Sequence, residues 1–306
     1  MSNAPEKPAD VSDVIANALR EDVGDGDLTA ALLPADRRIE ATVVCKETAV
    51  ICGHHWFETV FEQLGGDVAI EWLTAEGAQV RPNHEICRLS GPARTILTGE
   101  RTALNFLQLM SGTATQTRRF VERIRGTEAR IVDTRKTLPG LRSAQRYAVS
   151  CGGGQNHRFG LFDAILIKEN HILAAGGITE AIVAARELQA GVPLMCEAED
   201  LTEVQAALDQ NVDVLLLDDF ATHLLAKAVN MGREYRRYNR AQTILEATGG
   251  ISINNVRSIA DTGVDRISVG GITKNLQAVD LSMRVSDQQR GKTPTTKVQA
   301  LRVNLK

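Results

Sequence analysis

The sequence has few aromatic residues, no excess of basic residues and no long apolar run. Aromatic side chains make up 4% of the 306 residues, too few for a surface that stacks single-stranded nucleic acid. The net charge of −3 argues against general binding to nucleic acid or to anionic membranes. No apolar run approaches the roughly 18 residues of a membrane span, and the N-terminus lacks the features of a signal peptide. We therefore expect a cytoplasmic protein that binds neither nucleic acid nor a membrane.

Cysteine is also scarce. The five cysteines are odd in number and widely spaced, and they contain no Cys-x-x-Cys pair, which argues against a disulfide framework and against a structural zinc site. We expect them to be buried, reduced thiols. They are Cys45, Cys52, Cys87, Cys151 and Cys196.

The first part of the chain mixes helical and strand patterns. A helical apolar spacing begins at Val11, and residues 41–92 show mostly the β-branched pattern of strands. Apolar residues at helical spacing predict one long helix over about 95–125. The pair Ser111 and Gly112 is expected to kink or break it.

After Arg125 the pattern changes to short apolar runs that alternate with amphipathic helical segments. The six runs are RIVDTR, DAILIKEN, LMCEAE, DVLLLDD, TILEATGG and DRISVGG. The helices are expected near 140–150, 179–190, 201–210, 221–236 and 252–262. This alternation predicts a parallel sheet, because parallel strands need crossover connections. No Gly-x-Gly-x-x-Gly follows the first run, so we favour an α/β barrel, with fewer than eight strands allowed, over a dinucleotide-binding sheet.

The ends of these runs carry the residues expected to do chemistry, because α/β barrels place functional side chains after the C-terminal end of each strand. The first two runs end in cations, the next two in carboxylates and the last two in glycines. In chain order the positions are Asp133, Thr134, Arg135 and Lys136; Lys168, Glu169, Asn170 and His171; Glu197; Asp218 and Asp219; Thr248, Gly249 and Gly250; and Gly270 and Gly271.

Each group of residues indicates a kind of ligand. Glycines before a helix leave backbone N–H groups open to a phosphate. Carboxylates at Glu197 and Asp218 suggest Mg²⁺ ligands or acceptors for sugar hydroxyls. Lys168 alone could instead be a Schiff-base lysine. Four positive charges at one edge of the barrel would favour an anionic ligand. They belong to Arg135, Lys136, Arg158 and Lys168.

Several segments together resemble the quinolinate phosphoribosyltransferases, which are type II phosphoribosyltransferases also called nicotinate-nucleotide pyrophosphorylases (carboxylating). The resemblance runs in the same order from about Leu19 to Val285. The segments are GERTALNFLQLMSGTAT, DTRKTLPGLR, YAVSCGGGQNHRFGLFDAILIKENHI, the strand with Glu197, LLLDD, LEATGGI and GVDRISVGGITK.

The resemblance implies a homodimer of two-domain subunits. An open α/β sandwich would cover residues 11–115, joined by part of 276–290, and an incomplete α/β barrel of about six to seven parallel strands would cover 116–275. Residues 1–10 are expected to be disordered. Residues 286–306, with five Lys and Arg against one Asp, are expected to be a flexible basic tail.

The resemblance also implies a reaction. Quinolinate and phosphoribosyl diphosphate would give nicotinate mononucleotide, diphosphate and CO2, with Mg²⁺, in de novo NAD biosynthesis. A paralogue that uses another aromatic acid or base, and a catalytically silent phosphate-binding or regulatory protein, are the alternatives. The chain departs from the usual family pattern at Gly154, Met195 and Asp219, which puts fine specificity in doubt more than the reaction.

Residue roles follow from the same resemblance. Arg101 would be donated across the dimer interface to quinolinate, whose two carboxylates would be surrounded by Arg135, His157, Arg158 and Lys168. Glu197 and Asp218 would lie near the ribose hydroxyls and Mg²⁺. The residues expected to contact the phosphoribosyl substrate are Thr134, Lys136, Thr248, Gly249, Gly250, Val269, Gly270 and Gly271. The catalytic residues would be Lys136, Lys168, Glu197 and Asp218.

Overall fold

The computed structural model describes residues 5–239 and 242–286. Its helices are α1 (Val11–Val23), α2 (His54–Gln63), α3 (Ala93–Arg123), α4 (Arg142–Cys151), α5 (Glu169–Ala175), α6 (Ile178–Glu187), α7 (Leu201–Asp209), α8 (Thr222–Asn239), α9 (Val256–Ala260) and α10 (Gly271–Lys274). A short 3₁₀ helix covers Ala30–Leu32. None of the described helices has the length and apolar character needed to cross a bilayer.

The strands form an antiparallel and a parallel sheet, with one separate antiparallel pair of two-residue strands. They are β1 (Arg38–Cys45), β2 (Ala49–Val50), β3 (Ala69–Trp72), β4 (Gln79–Val80), β5 (His84–Pro92), β6 (Arg130–Val132), β7 (Ile165–Ile167), β8 (Leu194–Ala198), β9 (Val214–Asp218), β10 (Ile244–Thr248), β11 (Arg266–Ser268) and β12 (Leu281–Ser286). The antiparallel sheet has the order β12-β1-β5-β3, and strands β2 and β4 pair with each other.

Helix α2 lies within the region where the sequence pattern indicated mostly strands, so that expectation was wrong there. Trp56, Phe57, Val60 and Phe61 recur at helical spacing, and all four are buried in the core between the antiparallel sheet and α3. Aromatic and β-branched residues also favour strands, so their local preference hides the helical spacing in so short a segment.

Helix α3 runs without a break through Ser111 and Gly112, contrary to the predicted interruption. These two small residues allow close packing. The Ser111 hydroxyl accepts a hydrogen bond from the Cys52 N–H at 3.0 Å. The backbone of Gln277 lies so close to Gly112 that a Cβ atom there would collide with the Gln277 carbonyl oxygen.

The parallel sheet confirms the predicted incomplete barrel. Its order is β6-β11-β10-β9-β8-β7, so β6, the first of these six strands in sequence, lies beside β11, the last of them. Strands β6 and β7 do not pair, which leaves the barrel open between them. The chain at Gln155 hydrogen bonds to the free edge of β6, donating its N–H to Ile131 O at 2.8 Å and accepting from Asp133 N at 3.1 Å.

The two ends of the described chain both contact elements that are distant in sequence. Strand β12 pairs along its whole length with β1, so residues 281–286 extend the N-terminal sheet. Ser143 donates a hydrogen bond to the Asp10 carboxylate, so Asp10, the last residue of the segment expected to be disordered, contacts α4. The predicted flexible tail over 286–306 lies outside the described residues, except for Ser286.

Candidate active site

Strand alternation explains why the predicted residues meet at one edge of the barrel. In β9, Val214 and Leu216 pack in a small apolar cluster with Met195 of β8, whereas Leu215 and Leu217 belong to the larger cluster that includes the outer helices. Since every second residue of a strand faces the same side, the inward series continues to the carboxyl edge. The residues that end these series are Lys168, Glu197, Asp218, Thr248 and Gly270.

Lys168 and Glu197 form an ion pair at this edge, with the ammonium donating to Glu197 Oε1. The Lys168 backbone is held at the start of α5, where its N–H donates to His171 Nδ1 at 3.0 Å. A Schiff-base lysine reacts as the neutral amine, whereas a neighbouring carboxylate stabilises the charged ammonium. The ion pair therefore argues against the Schiff-base alternative.

Three further carboxylates, to which the sequence analysis gave no individual role, surround Glu197. Glu169, Glu197, Glu199 and Glu203 line a cavity of about 210 Å³ beside the strand ends. Glu169 raises the pKa of the Glu199 carboxyl group most, and partial desolvation, Glu203, Asp218 and Glu197 raise it further. This edge of the barrel thus concentrates negative charge next to the predicted cations.

Arg135 and Arg158 lie close enough to repel each other. Burial lowers the pKa of the Arg158 guanidinium, and the positive charge of Arg135 lowers it further. The Arg158 side chain is fixed by a hydrogen bond from Nη1 to Ala164 O at 3.0 Å. Two like charges held together in this way favour an anionic ligand between them.

Two arginines of α4, which the sequence reasoning missed, hold the loops that carry the predicted ones. Arg142 donates to Phe159 O at 3.0 Å and to Arg135 O at 3.4 Å. Arg146 donates to His157 O, and its guanidinium lies 5.2 Å from the centre of the Phe159 ring. Both loops are therefore tied to the same helix.

His157 contacts Glu246, a residue that the sequence reasoning also missed. The His157 Nε2 atom lies 3.4 Å from Glu246 Oε1, and both side chains are buried. Ser268 donates a hydrogen bond to the same carboxylate, and Arg266 Nη1 lies 3.9 Å from its other oxygen. The other ring nitrogen, Nδ1, accepts the Arg158 N–H at 2.8 Å.

The sequence carried a signal for Glu246, because it is a charged residue of TILEATGG at a position that faces the inside of the barrel. The predicted contact of His157 with quinolinate stays a prediction.

Asp133, which follows β6, is fully buried beneath the same loop. Its Oδ1 atom accepts the His157 N–H at 2.7 Å and lies 3.7 Å from Arg146 Nη1. Burial raises the pKa of the Asp133 carboxyl group to about 6, although these two partners oppose the rise. Asp133 and Glu246 thus hold His157 from its backbone and from its ring.

The glycines after β10 lie against the residues after β9. Gly249 has a φ of +83°, and a Cβ atom there would lie 2.6 Å from Asp219 N and 3.0 Å from Asp218 Oδ1. Only glycine fits both the backbone conformation and the contact. Helix α9 begins at Val256, later than predicted, so its N-terminus does not directly follow Gly250. This corrects the expectation that a helix adds its dipole there.

The segments after the first and last barrel strands also meet. Lys136 N donates to Thr134 Oγ1 at 3.1 Å, and a Cβ atom on Gly270 would lie 3.1 Å from Lys136 Cδ. Val269 is buried, and its N–H donates to the backbone of β6. Gly271 is the first residue of α10. The structure thus brings the predicted Lys136 and the second glycine pair together.

Arg101 stands apart from this group. It is exposed on α3 and forms no hydrogen bond or ion pair within residues 5–239 and 242–286. Thr98 and Thr102, its neighbours on the helix, bond to Asp27 at 2.8 Å and to Asp22 at 3.2 Å. Within one subunit, Arg101 has no bonded contact with the other predicted site residues.

Comparison with known protein families shows to which family the chain belongs. Residues 27–111 match the N-terminal domain of quinolinate phosphoribosyl transferase, and residues 113–284 match its C-terminal domain. The chain belongs to the quinolinate phosphoribosyltransferase family. These two matches cover most of the chain, as the sequence resemblance implied.

Individual relatives of this family agree along nearly their whole length. The nicotinate-nucleotide pyrophosphorylase (carboxylating) of Mycobacterium leprae is 38% identical over 276 residues, which are 89% of this chain and 95% of the relative. A probable enzyme of the same name from Synechocystis is 38% identical over 268 residues, 87% of this chain and 90% of the relative. The solved nicotinate-nucleotide pyrophosphorylase from Francisella tularensis is 41% identical, with a TM-score of 0.87 that covers 94% of this chain and 100% of that one.

Proposed function

We propose that this quinolinate phosphoribosyltransferase family member transfers the phosphoribosyl group of phosphoribosyl diphosphate to quinolinate, with decarboxylation. The products are nicotinate mononucleotide, diphosphate and CO2, and the reaction belongs to de novo NAD biosynthesis. The observation that carries the proposal is the meeting of cations and carboxylates at one barrel edge, because the substrates are polyanions that react through a cationic state. The two pairs at the centre of this barrel edge are Lys168 with Glu197 and Arg135 with Arg158.

In the proposed binding mode, the cations hold the two carboxylates of quinolinate. Arg135 and Arg158 can each form two parallel hydrogen bonds to a carboxylate, and an anion between them relieves their mutual repulsion. Lys168 contributes a third charge when it turns from Glu197 toward the ligand. His157 would join them through its ring, as the family pattern implies.

The phosphoribosyl group would lie across the other strand ends. Gly249, Gly250, Gly270 and Gly271 would approach the 5′-phosphate with their backbone N–H groups, because glycine permits close contact. Thr134, Thr248 and Val269 complete this segment, and Lys136 would meet the diphosphate as a point charge.

Glu197 and Asp218 would stabilise the positive charge that develops on the ribose. The pyridine nitrogen attacks C1 while diphosphate leaves, through an oxocarbenium-like state similar to that of glycosidases. The cationic ring nitrogen then stabilises the carbanion left on the adjacent ring carbon when its carboxylate departs as CO2, and a proton from solvent adds to that carbon to give nicotinate mononucleotide. No covalent enzyme nucleophile is needed, so positioning and electrostatics supply the rate enhancement.

Mg²⁺ is part of the proposal, and the residues present fit it. Mg²⁺ prefers carboxylate oxygens, and the raised pKa of Glu199 reflects an excess of carboxylates at this edge. Glu197 and Asp218 would hold the ion, directly or through water. Bound there, Mg²⁺ would neutralise the leaving diphosphate.

A homodimer would supply Arg101 to the partner subunit's quinolinate site. Two observations support this part of the proposal. Arg101 is exposed and unpaired within the described residues, and the neighbouring segment leaves Leu28 and Leu32 at 88% and 82% exposure. Clusters of large apolar side chains with such high exposure are typical of protein–protein interfaces.

A turnover assay tests the proposed function. Purified protein, quinolinate, phosphoribosyl diphosphate and Mg²⁺ should yield nicotinate mononucleotide and CO2 in equal amounts, and a chelator should stop the reaction. Nicotinate serves as the matched control, because it lacks the second carboxylate and should not react. Absence of product from folded protein, or equal turnover of nicotinate, would contradict the assignment.

A further inference from the structure

A second group of potential ligands lies apart from the barrel edge. The Sγ atoms of Cys52 and Cys151 and a carboxylate oxygen of Glu76 all lie within 4.8 Å of one another. Cys52 lies between β2 and α2, Glu76 lies just before β4, and Cys151 ends α4. Both cysteines are buried, and Glu76 is nearly so. Sequence spacing could not reveal this group because its members come from three separate segments.

Backbone contacts hold the Glu76 carboxylate in place. Its Oε1 atom accepts the Gly53 N–H at 2.7 Å, and its Oε2 atom accepts the His54 N–H at 3.1 Å. His54 Nδ1 also lies 3.2 Å from Oε2. The Cys151 thiol also donates a weak hydrogen bond to Oε1, at 3.9 Å. These contacts orient Glu76 so that its carboxylate faces the thiols.

Tyr147 supplies an independent indication that this group binds a ligand. Its side chain is buried, its hydroxyl oxygen has no hydrogen-bond partner of acceptable geometry, and it lies beside Cys151, Cys52 and Glu76. An unpaired buried hydroxyl is costly. A metal-bound thiolate is a strong acceptor, so the hydroxyl would gain a partner if the thiols were ionised by a metal.

We propose that Cys52, Cys151 and Glu76 form a binding site for a thiophilic divalent cation of the Zn²⁺ class, distinct from the Mg²⁺ site at the barrel edge. Two thiolates and one carboxylate are ligands that Zn²⁺ accepts, with a fourth position left for water. Binding replaces two S–H bonds by two metal–sulfur bonds, and two protons leave to solvent. No oxidation state changes.

The position of this site gives it a structural consequence. Cys151 is followed directly by Gly152, Gly153 and Gly154, and then by the loop of His157. A metal bound to Cys52 and Cys151 would link the start of α2 to the end of α4, just before that loop. Occupancy should therefore raise the Tm of the protein.

Cobalt substitution tests the site directly in the wild-type protein. Reduced full-length chain, freed of metal by a chelator, is titrated with Co²⁺ alone. Thiolate ligation gives intense sulfur-to-cobalt charge-transfer absorption, which the oxygen ligands of the barrel edge cannot give. We expect this absorption to saturate at one Co²⁺ per chain and to be lost when Zn²⁺ is added. No charge-transfer absorption would overturn the proposal without any variant being made.

Variants locate the ligands. Cys52→Ser and Cys151→Ser should each abolish the absorption, and Glu76→Gln should weaken Co²⁺ binding at least tenfold. Cys87→Ser is the matched control, because Cys87 is a buried thiol of the same apolar core outside the ligand group, and it should bind as wild type. Unchanged absorption in both Cys52→Ser and Cys151→Ser would overturn the assignment. Circular dichroism on the metal-free proteins establishes that each variant compared is folded.

Discussion

The imidazole of His157 and the carboxylate of Glu246 meet inside the barrel, with Nε2 3.4 Å from Oε1. Because Nδ1 accepts the Arg158 N–H, the neutral ring carries its proton on Nε2, which faces the carboxylate. The His157 ring therefore contacts the buried Glu246 carboxylate on one side and the backbone N–H of Arg158 on the other. If His157 contacts quinolinate as proposed, Glu246 acts on the ligand only through His157 and is a positioning residue.

Glu246→Gln should lower turnover by about 10–100-fold, because it keeps the shape but removes the charge that orients the imidazole. The KM for quinolinate should rise more than the KM for phosphoribosyl diphosphate, and the NMR resonances of the His157 ring should shift. Glu187→Gln, on the exposed surface of α6, is the control and should behave as wild type. Unshifted His157 ring resonances together with normal kinetics would refute the positioning role.

Mixing two inactive variants should restore activity if Arg101 serves the partner subunit. Arg101→Ala and Lys168→Ala should each fold and lose quinolinate turnover, since each removes a cation from every site. After subunit exchange, half of the dimers are hybrids with one intact site, so activity should return to about a quarter of wild type. Each variant mixed with itself is the control. No recovery despite hybrid formation, measured by mass spectrometry of tagged chains, would place Arg101 in its own subunit's site.

Asp133 should make the protein less stable as pH rises from about 4 to about 6. Burial raises its pKa to about 6 in the folded state, from an ordinary value of 3.8, so the folded protein binds the proton more tightly than the unfolded chain. Stability from this group is thus complete below the unfolded pKa and lost as pH rises through the folded pKa.

Asp133→Asn stays neutral and should not lose stability in that pH window. The free energy of unfolding of wild type minus that of the variant should therefore fall by about 2 kcal/mol between pH 4 and 6. Urea unfolding at several pH values measures this difference, and exposed Asp36→Asn is the control. A difference that stays constant across this range would contradict the raised pKa.

Gly249→Ala should destabilise the fold by about 1–3 kcal/mol, because the residue has a positive φ and its Cβ would collide with the Asp219 backbone. Gly271→Ala is the matched control, since a Cβ there would meet only Asn275 Nδ2, at 3.8 Å, and its φ is ordinary. Thermal unfolding should show a lower Tm for Gly249→Ala alone. Equal Tm values for the two variants would show that the Asp219 backbone can move to admit a Cβ atom at position 249 without loss of stability.

The functional residues at the strand ends could be predicted because side chains alternate along a strand, and the carboxyl ends of all barrel strands lie at the same edge. Lys168, Glu197 and Asp218 each follow a short apolar run, so their common location follows from local pattern alone. Helix α2 was missed because its aromatic residues suit strands as well. Glu246 was missed because it lies within an apolar run, although its inward position was readable once the strand direction was known.

The sequence by itself determined the repeating βα units, the incomplete barrel and the family, because local periodicity and ordered motifs carry that information. Tertiary structure decided which side chains meet. The ion pair of Lys168 with Glu197, the contact of His157 with Glu246, and the grouping of Cys52 with Cys151 each join segments at least 29 residues apart. Such contacts depend on how strands and helices pack in three dimensions, and no local pattern of residues encodes their distances.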